Sequence, residues 1–158
     1  MWKGTAVNEK EYKGGCYCGG VEVVVKGEPA AGAICHCHSC RKWHAAPINA
    51  WAIWPEDAVT ITGETVKSVA DEASGRISCS KCGGCVANHK PARNMMVVYP
   101  MTLAGSGLEY KPAFHIFYDE RVMDIADGLK KFASVPEQFG GTGELVEEPD
   151  ACAWIGAK

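Results

Sequence analysis

Apolar and polar residues alternate through Val21-Glu22-Val23-Val24-Val25-Lys26, the period-two pattern of a half-buried strand. Residues 46–54 (Ala-Pro-Ile-Asn-Ala-Trp-Ala-Ile-Trp) carry bulky side chains on both faces and read as extended. Further short strands are predicted at 59–62, 66–70, 75–79, 95–99, 113–118 and 121–125. Turn signals such as Gly63-Glu64, Ser74-Gly75 and Ser106-Gly107 lie between them. One short helix is predicted, from an N-cap at Ser39 through Arg41, Lys42, Trp43 and His44 to about Ala45, stopping before Pro47. The chain therefore reads as mostly β with few short helices. Gly140, Gly141 and Gly143 mark a joint between a body at 1–139 and a C-terminal tail at 140–158. The tail ends Cys152-Ala153-Trp154-Ile155, apolar enough to dock onto the body or onto a partner subunit, so a homo-oligomer is open.

The chemistry lies in the cysteines. They fall at Cys16 and Cys18; at Cys35, Cys37 and Cys40; at Cys79, Cys82 and Cys85; and at Cys152, which is expected to be a buried or incidental thiol. On extended backbone, residues two apart share a face, so Cys16 and Cys18 can present two sulfurs to one ion, as can Cys35 and Cys37. The C-x-x-C spacing of Cys37/Cys40 and of Cys79/Cys82 suits a tight turn whose thiolates converge. Cys16-Tyr17-Cys18-Gly19-Gly20 and Cys79-Ser80-Lys81-Cys82-Gly83-Gly84 share a glycine directly after the second cysteine, where a turn needs positive φ. These two clusters are paired here as one closed four-cysteine zinc site with a structural role. The middle cluster supplies three thiolates and no evident fourth ligand, the pattern of a zinc ion with an exchangeable position. His36 would point away from Cys35 and Cys37 on an extended strand, whereas His38 and Cys85 stay open as a fourth ligand. Two zinc ions per chain are expected.

Composition narrows the setting. A length of 158 residues fits one domain, and nine cysteines far exceed what incidental burial requires. No apolar leader or membrane-length apolar run is present in the sequence, so the cysteines are expected to lie in a reducing cytoplasm and to serve as ligands or reactive thiols. Sixteen Lys and Arg against nineteen Asp and Glu, with no long basic run, predict neither nucleic-acid nor membrane binding. There is no phosphate loop, dinucleotide fingerprint or nucleophile elbow.

The order C-x-C-G, C-H-C-x-x-C, C-x-x-C-G, then His115-Ile116 and Asp127-Gly128-Leu129-Lys130-Lys131-Phe132, resembles the glutathione-dependent formaldehyde-activating enzyme family. That family also contains the centromere protein V domain, and the resemblance runs from about Gly15 to about Phe132. It implies an Mss4-like fold of small antiparallel β-sheets assembled around a structural zinc held by four cysteines. It also implies that Cys16, Cys18, Cys79 and Cys82 are the structural ligands, and that Cys35, Cys37 and Cys40 hold a second, catalytic zinc. The implied activity is that of a carbon–sulfur lyase, joining glutathione to formaldehyde or splitting the adduct. Gly84-Cys85 departs from the family pattern, and Cys85 can either close the second site or pair with a nearby thiolate.

Within that chemistry a zinc-bound thiol loses its proton at neutral pH and its sulfur can attack a small aldehyde. His115 and His38 are the candidates to carry the proton, and Arg41, Lys42 and Arg93 are the candidates to hold the carboxylates of glutathione. Two alternatives stay open. One is a non-catalytic zinc module that binds a partner through an apolar patch around Trp51, Trp54 or Trp154. The other is a thiol redox sensor built on Cys35, Cys37, Cys40 and Cys85.

Overall fold

The computed structural model describes residues 10–71 and 74–156. Fourteen short strands and one α-helix occur among them. The strands are β1 (Glu11–Gly15), β2 (Val21–Lys26), β3 (Ala31–Cys35), β4 (Asn49–Pro55), β5 (Val59–Gly63), β6 (Thr65–Asp71), β7 (Ser74–Cys79), β8 (Cys85–Lys90), β9 (Met95–Val98), β10 (Phe114–Ile116), β11 (Met123–Asp124), β12 (Lys130–Phe132), β13 (Leu145–Val146) and β14 (Ala153–Trp154), with α1 at His38–His44. The chain is mostly β, as its patterning predicts. It divides into two compact units, residues up to 31 with 52–110, and 32–51 with those from 111 on.

In the first unit, β2 keeps its alternation: Val21, Val23 and Val25 enter the core while Glu22 and Lys26 face outward. Burying each of these valines is worth roughly 1.5–3 kcal/mol. β2 is flanked by β1 and β5, both antiparallel. A second layer is formed by β6, β7, β8, β9 and the Ala52–Pro55 half of β4, again antiparallel. The core between them contains Tyr12, Trp54, Val86, Ala87, Met96, Val98, Leu103 and the cysteine Cys79. Gly14 permits the closest approach, since a Cβ there would stand 1.9 Å from the carbonyl oxygen of Thr102.

The second unit contains β3, the Asn49–Trp51 half of β4, α1 and everything from β10 onward. β10 runs parallel to both β3 and β12, with His115 opposite Ile34 and Lys131, and Ile116 opposite Cys35. The tail adds β13 antiparallel to β12 and β14 antiparallel to β11. Phe114 packs against Trp51, Phe132 and Phe139 on this sheet.

Several boundaries differ from the pattern-based expectation. The strand predicted at 113–118 stops at Ile116 because Phe117 turns left-handed, with φ 53°. The helix is capped by Cys37 instead of Ser39, the Cys37 sulfur accepting the N–H of Cys40 in place of a hydroxyl. Of the three tryptophans assigned to an exposed patch, Trp51 and Trp54 are buried, and only Trp154 is exposed. Their positions on both faces of β4 make them core residues. Among the described residues no helix is long and apolar enough to cross a membrane.

Candidate metal centre

The first unit brings Cys16, Cys18, Cys79 and Cys82 together, all four sulfurs within 4.8 Å of one another. Two similar turns do this. Gly19 and Gly83 take φ of 76° and 71°, so each chain reverses just after its second cysteine. The N–H of Gly19 donates to the carbonyl of Cys16 at 3.1 Å, and that of Gly83 to the carbonyl of Cys79 at 3.0 Å. Backbone N–H groups also point at sulfur, Val21 at Cys16 (3.2 Å) and Gly84 at Cys82 (3.4 Å). Burial opposes ionisation of Cys16, but the Val21 N–H and the neighbouring sulfurs outweigh it and bring that thiol down to about 6. The Gly84 N–H likewise holds Cys82 below the ordinary thiol value. The Gly20 N–H favours ionisation of Cys18, but the sulfurs of Cys16 and Cys82 outweigh it and raise that thiol to about 11. Full ionisation of the group therefore calls for a cation among the sulfurs, and four convergent sulfurs suit a divalent one that accepts soft ligands.

The second unit brings Cys35, Cys37 and Cys40 together, their sulfurs also within 4.8 Å of one another. Cys35 ends β3 and is buried; Cys37 caps α1, and Cys40 lies in its first turn. Cys37 and Cys40, and then burial, push the Cys35 thiol well up. Three sulfurs this close can all be thiolates only with a cation among them. No further Cys, His, Asp or Glu among the described residues joins the group.

Between Cys35 and Cys37 stands His36, fully buried, and a line of polar contacts leads away from it. His36 Nε2 lies 2.8 Å from His115 Nδ1, and His115 Nε2 lies 2.9 Å from Asp127 Oδ2. Asp127 Oδ1 accepts from Lys131 Nζ at 3.0 Å, and Lys131 in turn donates to Glu148. Tyr118 packs edge-on against both imidazoles, its ring centre 4.8 Å from that of His36 and 5.7 Å from that of His115. Its hydroxyl accepts the N–H of Ile125. Burial first, then the nearby His115 and the cations Arg121, Lys131 and Arg41, lowers His36 to about 4. Burial opposes ionisation of Asp127, but hydrogen bonds from His115 and Lys131 keep it below the usual carboxylate value.

The chain that carries these clusters also matches a known family. The sequence signature described as "Glutathione-dependent formaldehyde-activating enzyme" covers residues 11–120, more than two thirds of the chain. The chain belongs to the glutathione-dependent formaldehyde-activating enzyme family. An uncharacterized lyase of Schizosaccharomyces pombe is 29% identical over 73 residues, which are 46% of this chain and 53% of the relative. The chain thus spans about half the length of the curated relative it matches. A solved Rhodobacter sphaeroides protein is similar over 59% of this chain and 88% of its own, with 20% identity and a TM-score of 0.49.

For this member of the glutathione-dependent formaldehyde-activating enzyme family, the histidines and cations named from sequence have definite positions. His115 is fully buried with both ring nitrogens engaged, by His36 and Asp127. His38 opens α1, and its backbone N–H donates to Glu120 Oε2 at 2.6 Å. The Arg41 guanidinium donates to the carbonyls of His36 (3.0 Å) and Glu120 (2.9 Å). Lys42 is exposed on α1. Arg93 and Cys85 belong to the first unit, on a 3-10 turn and on β8. Cys152 is exposed, and its sulfur accepts the N–H of Ala126 at 3.3 Å. None of the nine cysteines is in a disulfide.

Sequence reasoning set His36 aside as a poor ligand and passed over its part in the network. It also assigned no role to Asp127, Lys131 or Glu148. The Asp127–Lys131 spacing was visible, but the burial of Lys131 was not.

Proposed function

We propose that the chain is a zinc-dependent carbon–sulfur lyase or synthase acting on a thiol adduct of formaldehyde or of another small aldehyde, with glutathione as the thiol. The observation that carries this reading is the group of three sulfurs at Cys35, Cys37 and Cys40 with no fourth ligand among the described residues. Three protein ligands and one exchangeable position are typical of catalytic zinc, whereas four sulfurs typify structural zinc. The four-sulfur set fits the metal. A tetrahedron with zinc–sulfur bonds of ~2.3 Å has edges of about 3.8 Å. In the four-sulfur group, Cys16 to Cys18 is 3.6 Å and Cys18 to Cys79 is 3.8 Å. Zinc at the three-sulfur group would supply a position where a substrate thiol is deprotonated at neutral pH.

The remaining work falls to the protein. In the forward direction a sulfur–carbon bond forms at the aldehyde carbon, the carbonyl becomes a hydroxyl, and the thiol proton ends on that oxygen. No oxidant or reductant is needed. Cys35, Cys37 and Cys40 would hold the ion on a strand end and a helix start, two rigid elements. His38, on the exposed first turn of α1, is the proposed proton carrier on the open side. His115 is proposed to act behind the site, through His36. Lys42, exposed on α1 of the same unit, is the proposed contact for a glutathione carboxylate. A reducing cytoplasm is the proposed setting, since it would keep these thiols available.

The test is metal content per chain followed by glutathione titration with zinc X-ray absorption, and formaldehyde–glutathione exchange measured by NMR. Two zinc ions, a new sulfur at one of them and accelerated exchange are expected. Two ions already saturated by protein sulfur, with exchange at the uncatalysed rate, would overturn the reading.

A further inference from the structure

His36 is held at its backbone N–H, its carbonyl and one ring nitrogen. Its N–H donates to the carbonyl of Ile116 on β10 at 3.0 Å, and its carbonyl accepts from Arg41 Nε on α1 at 3.0 Å. Its Nε2 meets His115, again on β10. The backbone flanking these anchors is the backbone of Cys35 and Cys37. Whatever fixes the His36 ring therefore fixes how those two sulfurs converge.

The far end of the line is equally constrained. Lys131 is a fully buried ammonium, with donors spent on Asp127 Oδ1, the Leu129 carbonyl (3.0 Å) and Glu148. Glu148 comes from the tail and is itself anchored by the N–H of Gly128 at 3.0 Å. Asp127 also accepts the N–H of Leu129 at 3.1 Å. A buried ionic cluster is weak evidence for stability, because an apolar replacement of similar volume is often as stable. Its best-attested use is to specify one geometry. Here the specified geometry propagates in one direction: an ionised Asp127 only accepts, so His115 Nε2 carries a proton toward it. In the neutral pair, His36 Nε2 then donates to His115 Nδ1, and His36 Nδ1 is left as a bare, buried acceptor. That atom has no hydrogen-bond partner among the described residues.

We propose that Asp127, Lys131 and the tail residue Glu148 are positioning residues for the three-cysteine metal site, acting through His115 and His36 on the peptide between Cys35 and Cys37. The inference rests on the reading of that cluster as a metal site. It gives Glu148, which lies beyond both the residues 11–120 that the family signature covers and the Asp127–Phe132 motif, a part in building the centre.

The experiment uses the full-length protein loaded with cobalt(II), whose thiolate bands report the number and arrangement of sulfurs, with stoichiometry from native mass spectrometry. Glu148→Gln is the main variant because Glu148 lies at the surface end; Asp127→Asn is the second, and Glu147→Gln is the control. The expected result is that both variants keep the four-sulfur ion but hold the second ion about tenfold more weakly, with altered bands, as for loss of an outer-shell partner. In long-range 15N spectra the His115 and His36 ring signals should shift in both. Glu147→Gln should match the parent. Unchanged retention and unchanged imidazole signals in Glu148→Gln would overturn the inference while leaving the metal site standing. Loss of both ions together with the fold would also count against it, since a positioning role spares the first site. If the parent protein itself holds one ion only, the inference falls together with the functional reading.

Discussion

His36 and His115 share a hydrogen bond of 2.8 Å although 79 residues separate them in sequence. The contact exists because β10 pairs in parallel with β3, placing His115 beside Ile34 and Ile116 beside Cys35. It joins the peptide between two cysteines to a buried ionic cluster, and it makes the second unit's core polar at the point where its candidate metal ligands converge.

Removing that link should be measurable as stability. In His115→Phe the ring volume is roughly kept, but His36 loses its side-chain partner and Asp127 loses one of its donors. A buried polar group left unpaired costs about 1–3 kcal/mol, so urea unfolding should report a loss of about 2 kcal/mol.

The two cysteine clusters should respond differently to substitution. Cys79 is buried in the core of the first unit, and with Cys16, Cys18 and Cys82 it closes a four-sulfur group. Cys79→Ser should therefore give a protein that aggregates or lacks cooperative melting. Cys40→Ser should keep its circular dichroism and lose only one metal equivalent. Equal instability of the two variants would show that both sites are structural.

Acid should weaken the second unit. Glu148 is kept below the usual carboxylate value by Lys131 and then by the Gly128 N–H, and Asp127 is held low against its burial by His115 and Lys131. Between their folded and ordinary values the unfolded chain binds more protons than the folded one, so stability rises with pH there. It is fully present above about pH 4.5 and is lost as pH falls through the depressed values. Burial opposes the charge on Lys131, but Glu148 and Asp127 outweigh it and raise Lys131, so its contribution is lost only as pH rises beyond the ordinary lysine value. Melting temperatures across the acid range should show this limb, and Glu148→Gln should make it shallower.

Gly14 should not tolerate a methyl group. The new Cβ would meet backbone, the Thr102 carbonyl, which cannot move aside as a flexible side chain would. Overpacking of this kind costs about 1–3 kcal/mol, and Gly14→Ala should lower the denaturant midpoint accordingly, whereas Gly105→Ala, with open space around it but φ of 82°, should report backbone strain alone.

Much of the first unit was legible because its signals are local. The alternation through Val21–Lys26 became β2 without change, and the paired C-G-G turns took the positive φ their glycines suggested. Strand β3 escaped notice because Ala31-Gly32-Ala33-Ile34-Cys35 has little strand propensity of its own; it is extended because β10 pairs with it. The alternative reading that put an exposed patch at Trp51 or Trp54 fails because a tryptophan suits either an interface or a core, and only the packing of β4 decides between them.

By itself the sequence determined which atoms are available for chemistry: cysteines two and three apart, glycines where the chain must reverse, and motifs in an order that marks the family. Ligand spacing and turn chemistry act over a few residues, so they can be read along the chain. The parallel insertion of β10 between β3 and β12, the burial of Lys131 and the line from Glu148 to His36 were decided only by the tertiary structure. Those depend on which distant strands pair and on whether a charge finds partners once water is excluded, and neither is a property of any local stretch.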